Sequence, residues 1–157
     1  MRYTVRPMQE NDIPRVSEIL CACYRFIAGP DGFSPEQLAA ILKERGSVEA
    51  VRHQFKEYRW LVACDDQVAG AVAVKENEIT KLYVDPTTHR QGIGKLLFYE
   101  AERIISASGH QEVTLGTTGH GVPFYRSLGM EVVNRKRCAH GPLVGNEVTL
   151  MSKPIMH

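Results

Sequence analysis

Apolar residues recur along this chain with two different periods, and the change of period divides it. YTVRPM near the start alternates as a short strand does. Ile13, Val16, Ile19, Leu20 and Cys23 then fall at helical spacing, and Asp12 stands where it can cap that helix. Gly29-Pro30-Asp31-Gly32 breaks it. Ser34-Pro35-Glu36-Gln37 predicts a second start, with a capping Ser, a Pro at the first helical position and a Gln three residues after the cap. Ser47 opens a short third helix that carries Val48, Val51 and Phe55.

Beyond this point strands take over. WLVACDDQVAGAVAV predicts two strands joined at Asp65-Asp66-Gln67, and EITKLYV a third, ended by Asp85-Pro86. From Gly92 the period is helical again. Ile93, Leu96, Leu97, Ala101, Ile104 and Ile105 share one face, while Lys95, Glu102 and Arg103 lie largely off it, and Gly109 closes the helix. EVTLG is a strand, VPFYRSLG a short helix ending at Gly129, and MEVVNRKR with NEVTLMSK a last strand pair. Helices followed by an antiparallel meander with one strand–helix–strand crossover predict an α+β fold with a mixed sheet, in a single domain over residues 1–157.

The bulk numbers narrow the function classes. At 157 residues and 43% hydrophobic content the chain can build a core without disulfides and is not a disordered segment. A formal net charge of +1 makes no electrostatic case for nucleic acid or an anionic membrane. No apolar run approaches a membrane span, and MRYTVRPMQEND lacks the apolar stretch of a signal peptide, so the expected location is the cytoplasm. Cys21 and Cys23 point to different sides of a helix, no CxxC pair exists, and His120 and His140 complete no zinc spacing. Cys21, Cys23, Cys64 and Cys138 are therefore expected as reduced, mostly buried thiols with no metal.

The stretch HRQGIGKLL carries the clearest chemistry. A dinucleotide fingerprint fails, because its third glycine position is Leu97 and a loop separates Gly92 from the preceding strand. A Walker loop fails as well, because Gly94-Lys95 is followed by Leu96 and position 89 is His. What survives is a strand, a Pro-containing loop, Arg90 and Gln91, a GxG turn and a long amphipathic helix. Free N–H groups at such a helix start favour a phosphate, and Arg90 and Lys95 add charge. A plain loop-to-helix turn, with Gly for close packing, is the competing reading.

The longer segment EITKLYVDPTTHRQGIGKLLFYEAERI resembles the acetyl-CoA-binding core of the GNAT superfamily of N-acetyltransferases. Val84-Asp85-Pro86 and Gly92-Ile93-Gly94 match its first phrase. Tyr125 and Leu128-Gly129-Met130, within VPFYRSLGMEVV, match its second. The resemblance runs from about Trp60 to Val133. It departs at His89, where the signature has Gln or Arg, and near Thr118, where many members carry an Asn.

The resemblance implies a mostly antiparallel sheet of six to seven strands, flanked by about four to five helices and splayed at its central parallel pair. It implies acetyl transfer from acetyl-CoA to a primary amine that the sequence does not identify. Leu82, Tyr83 and Val84 would pair with the pantetheine arm as an added strand. Gln91, Gly92, Ile93, Gly94 and Lys95, with Arg90, would hold the pyrophosphate. A backbone N–H near Leu82 or Tyr83 would polarise the thioester. Tyr125 falls where the family places the acid for the departing thiolate. Glu78 is the candidate base, expected by strand alternation on the same side as Thr80 and Leu82, with His120 as its rival. Acceptor selection would fall to the regions Tyr24 to Phe33 and Arg137 to Asn146, with Tyr24, Phe26, Phe33 and His140 as lining residues. The fold also allows a homodimer. A non-catalytic acetyl-CoA sensor is the alternative function.

Overall fold

Seven strands form one sheet in the order β1-β2-β3-β4-β5-β7-β6 in the computed structural model, which describes residues 2–155. They are β1 (Thr4–Pro7), β2 (Arg59–Cys64), β3 (Val68–Lys75), β4 (Glu78–Val84), β5 (Glu112–Thr117), β6 (Glu131–Arg137) and β7 (Glu147–Pro154). The helices are α1 (Ile13–Ala28), α2 (Pro35–Ile41), α3 (Val48–Glu57), α4 (Ile93–Ala107) and α5 (Val122–Ser127). The expected α+β architecture is therefore present, with seven strands and five helices.

Every neighbouring pair is antiparallel except β4 and β5, which run parallel and meet only at Glu78 and Thr114. Beyond that contact the two strands separate, and the sheet opens at its centre. The helices cover both faces. Ile93, Leu97, Phe98, Ala101 and Ile105 of α4 pack on one face, against Val72, Val74 and Ile79. Ile13, Val16, Leu20 and Tyr24 of α1 pack on the other, with Val51 of α3 and with Val62, Ala71 and Ala73. Among the described residues no helix is long and apolar enough to cross a membrane.

Local signals explain most boundaries. The Ser34 hydroxyl accepts from the Gln37 amide and the Gln37 side chain accepts from the Ser34 amide, both at 3.0 Å, so the predicted capping box starts α2. Ser47 caps α3 through the Ala50 amide at 3.1 Å. Asp12 does not cap α1. Its carboxylate takes two hydrogen bonds from Arg6, at 2.8 and 3.0 Å, and one from the Gln9 amide at 2.8 Å. The cation on β1 outcompetes the helix end for that carboxylate.

Two irregularities shape the site. Between α2 and α3, Leu42–Gly46 forms a π-helical turn. Gly46 sits so close to α1 that an added Cβ would lie 2.8 Å from Cys21 Sγ, and its carbonyl accepts from the Ser17 hydroxyl. The second lies in β4. Ala73 pairs with Lys81 and Val74 with Ile79, so Thr80 is an extra residue, a bulge, and its hydroxyl donates to the Ala73 carbonyl at 3.2 Å. The bulge overturns the alternation expected for β4. Glu78 shares a face with Lys81 and Tyr83, toward α1 and α3, whereas Leu82 and Val84 face α4.

Candidate active site

The gap between β4 and β5 opens into a cavity of about 820 Å³. The whole of β4 lines it, with Leu115, Gly116 and Thr117 of β5, the glycine turn before α4, Tyr125 of α5, and Cys23, Tyr24 and Phe26 of α1.

At one end lies the glycine turn. Asp85 anchors it. Its carboxylate accepts from the Thr87 amide at 2.9 Å and from Arg15 of α1 at 2.6 Å, while Arg15 also donates to the Val68 carbonyl. Arg90 (φ 69°) and Gly92 (φ 80°) both adopt the left-handed conformation. For Arg90 this is a costly backbone state, of the kind kept where a functional shape demands it. The first amide of α4 to donate within the helix is that of Leu96, to the Gly92 carbonyl at 3.0 Å. The amides of Ile93, Gly94 and Lys95 therefore stand free of intrahelical acceptors. No side chain caps this end and no acidic residue occupies its first turn. An extended phosphorylated ligand fits such an end, through the amides and the positive pole of the helix dipole.

The two glycines serve different ends. A Cβ on Gly92 would meet nothing within 4 Å, so that glycine answers to its backbone angle. A Cβ on Gly94 would lie 3.1 Å from Phe124 Cζ, so that one admits α5 against α4. Arg90, Gly92, Ile93, Gly94 and Lys95 line the cavity, and Gln91 does not. The Gln91 side chain accepts from the hydroxyl of Tyr3, just before β1, at 3.0 Å. His89 is part of the wall, with its ring edge-on to Phe26 at 5.4 Å and Nε2 3.3 Å from the Val84 carbonyl.

Along β4 the backbone divides by register. The Asp85 amide donates to the Ala69 carbonyl at 2.8 Å. Counting back along the antiparallel ladder, Tyr83 turns its N–H to β3, and Leu82 and Val84 turn theirs to the gap. Consistent with that, the Val84 carbonyl takes a hydrogen bond from the Cys23 thiol at 3.0 Å. Burial pushes this thiol up to about 12, which leaves it inert as a nucleophile.

Tyr125 enters the cavity from α5, with Phe124 5.1 Å and Phe98 6.3 Å away between ring centres. Burial, and then the neighbouring Tyr83, hold its phenol well above its ordinary value, so it is protonated at neutral pH. Glu78 lines the same cavity at the point where β4 and β5 last touch, and is exposed. The loop before α5 is tied across the opening. The Asp31 carboxylate, between α1 and α2, accepts from the Thr118 hydroxyl and, at 3.0 Å, from the His120 amide. His120 also lines the cavity, 6.1 Å from Phe26 between ring centres.

Of the residues expected at the acceptor end, Tyr24, Phe26 and Phe33 line the cavity. His140 does not; Cys138 and Leu143 of the same hairpin do. Two residues that no motif marked join them, Arg45 from the π-helical turn and Lys81 from β4. Burial first, and then Arg45, lower the Lys81 ammonium to about 8, against an opposing pull from Glu57. The one sequence signal for Lys81 was a lone charge inside an otherwise apolar strand, EITKLYV.

Comparison with known proteins bears on the whole chain. Residues 31–145 match the family described as the acetyltransferase (GNAT) domain. A GCN5-related N-acetyltransferase from Rhodopseudomonas palustris is similar in structure over 99% of this chain and 97% of its own, with 20% identity and a TM-score of 0.89. The PaiA N-acetyltransferase from Thermoplasma acidophilum, solved with coenzyme A, covers 99% and 100%, with 22% identity and a TM-score of 0.82. A phosphinothricin acetyltransferase from Sinorhizobium meliloti, solved with acetyl-CoA, covers 99% and 89%, with 20% identity and a TM-score of 0.72. No curated protein matches the sequence.

Proposed function

The chain belongs to the GNAT acetyltransferases, and from that premise we propose that it moves the acetyl group of acetyl-CoA to a primary amine by direct attack within the β4–β5 gap. Acetyl-CoA, the cosubstrate of this family, supplies the activated acyl thioester. The observation that carries the reading is the sheet opening itself, a gap that starts beyond Glu78 and ends on an uncapped helix start. In solved relatives of this fold, coenzyme A and acetyl-CoA are bound.

Each residue then has a role that follows from its position. The amides of Gly92, Ile93, Gly94 and Lys95 receive the pyrophosphate, and the Arg90 and Lys95 side chains add charge. Gln91 contributes at most its amide, since its side chain is held by Tyr3. Leu82 and Val84 offer gap-facing backbone groups to an extended ligand arm. The Leu82 N–H, rather than that of Tyr83, faces the charge that develops on the acyl oxygen. Tyr125 donates to the departing thiolate. An alkyl thiol has a pKa near 8.5, and burial holds the phenol far above that. The hydrogen bond to the forming thiolate therefore contributes from the start of bond breaking, and the proton crosses late. Glu78, exposed at the mouth, removes the proton from the attacking amine directly or through water.

Thermal denaturation with acetyl-CoA, followed by thiol release across a panel of primary amines, tests this reading. A rise in Tm with acetyl-CoA and release with some amine is expected. Binding without release for every amine would favour a sensor; no binding would remove both readings.

A further inference from the structure

The acceptor end of the cavity holds more positive charge than the reaction itself requires. Arg45 and Lys81 both line it, and among the described residues neither side chain has an ion-pair or hydrogen-bond partner. Arg45 is close enough to disfavour the charged form of Lys81, and the carboxylate whose charge reaches Lys81, Glu57, lies outside the cavity. Both residues are half-buried, and an unpaired charge drawn partly out of water calls for a partner. A third group points the same way. The Tyr24 hydroxyl is fully buried and makes no hydrogen bond of normal geometry, although Tyr83 lies near it and Arg45 is within electrostatic reach.

These groups come from separate elements that meet on one face of the sheet. Arg45 is held by the π-helical turn locked to α1 through Gly46, and Arg45 Nη2 would lie 3.6 Å from a Cβ on Gly141 in the β6–β7 connection. Lys81 and Glu78 are brought to this face by the Thr80 bulge. At this end, away from Arg90 and Lys95, the wall thus presents two cations and one carboxylate, Glu78. A polyamine entering as a polycation would be repelled by Arg45 and Lys81. An amine that also carries an anion would satisfy both.

We infer that the acceptor is a primary amine bearing a carboxylate, of the amino-acid class, with its anionic group held by Arg45 and Lys81 and its amino group directed toward Glu78. This rests on the acetyl-transfer reading above and names the substrate class for the same site.

Matched acceptor pairs test it, each an amino acid and its carboxamide, with an aminoalkyl phosphonate to separate carboxylate from other anions. Thiol release should favour the free acid over its amide by at least about 20-fold in kcat/KM. Arg45→Gln and Lys81→Met should each bring that ratio to within about threefold. A phosphonate used better than the carboxylate would overturn the class while keeping the anion site. A native ratio near one, or variants that weaken acid and amide equally, would overturn the inference while leaving acetyl transfer intact. A second readout avoids turnover altogether: thermal shift of the coenzyme A-loaded protein with the same pairs. A Tm rise with the acid alone, lost in Arg45→Gln, supports the anion site even if no amine is acetylated. Equal shifts with acid and amide reject it. Melting curves of the unliganded variants report whether each one folds.

Discussion

The two ends of the cavity are built by different means. At the α4 end the free polar groups belong to the backbone, and a few consecutive residues supply them. Gly92 sets a left-handed turn, and the next amides follow from the helix that begins there. At the opposite end the polar groups on the wall are side chains: Tyr24 from α1, Arg45 from a π-helical turn and Lys81 from the middle of β4. The first end is a local shape, whereas the second exists only once the fold has formed. That contrast explains how a fold can keep one ligand and change another, because side chains at the second end can be exchanged without disturbing the first.

Substitutions can break this division. The largest effect is expected where both ends meet. Tyr125→Phe should lower kcat by about 10²–10³-fold with acetyl-CoA affinity within about twofold, as read by steady-state kinetics and calorimetry. A kcat unchanged by the loss of the hydroxyl would remove Tyr125 from the chemistry. Next, Gly92→Val forces a β-branched residue to φ near 80°, a cost on the order of 1–3 kcal/mol. Titration should show acetyl-CoA affinity falling about 10- to 100-fold, while discrimination between acid and amide acceptors persists.

Lys81→Met probes the other end through stability. In the fold its ammonium is lowered from 10.5 to about 8. Below pH 8 both folded and unfolded chains are protonated there, and the fold carries the full penalty of the buried charge. Between about 8 and 10.5 the unfolded chain holds more protons, so native stability gains from this residue as pH rises. Lys81→Met should therefore stabilise the protein at pH 7 by about 2–3 kcal/mol, with the advantage shrinking by pH 10 in urea titrations. A variant less stable at pH 7 would mean that Lys81 has a partner in solution. The smallest change is expected of His89→Ala. Its ring packs on Phe26 and faces the Val84 carbonyl, so acetyl-CoA affinity should move less than about threefold. A tenfold loss by calorimetry would make it a phosphate ligand after all.

Legibility in the sequence follows the same division. The Ser34 box, the Gly92-Ile93-Gly94 turn and the α4 stripe could be read because each rests on interactions within a few residues. Asp12 looked like a cap, but Arg6 on the neighbouring strand takes its carboxylate, a contest decided by tertiary packing. Gln91 carried the right amide in the right phrase, yet Tyr3, far away in the chain, claims its side chain. Arg45 sits in what looked like ordinary helix, LKERG, and nothing local announces a π-helical turn or a ligand. Asp31, expected only as part of a helix break, also joins two loops across the cavity mouth.

Glu78 shows how little can mislead. Strict alternation set it beside Leu82, and one extra residue, Thr80, set it beside Lys81 instead. The bulge acts as a parity switch in β4. Residues before it and residues after it keep independent accounts of which way they point, so the carboxylate and the gap-facing amides can be altered separately. Deleting Thr80 would leave a regular strand in which Ile79 directly precedes Lys81, so Glu78, Lys81 and Tyr83 would keep their common face; ironing the bulge flat with Thr80 retained would instead part Glu78 from Lys81. One position thus sets how the carboxylate at the start of β4 is oriented relative to the gap-facing amides at its end.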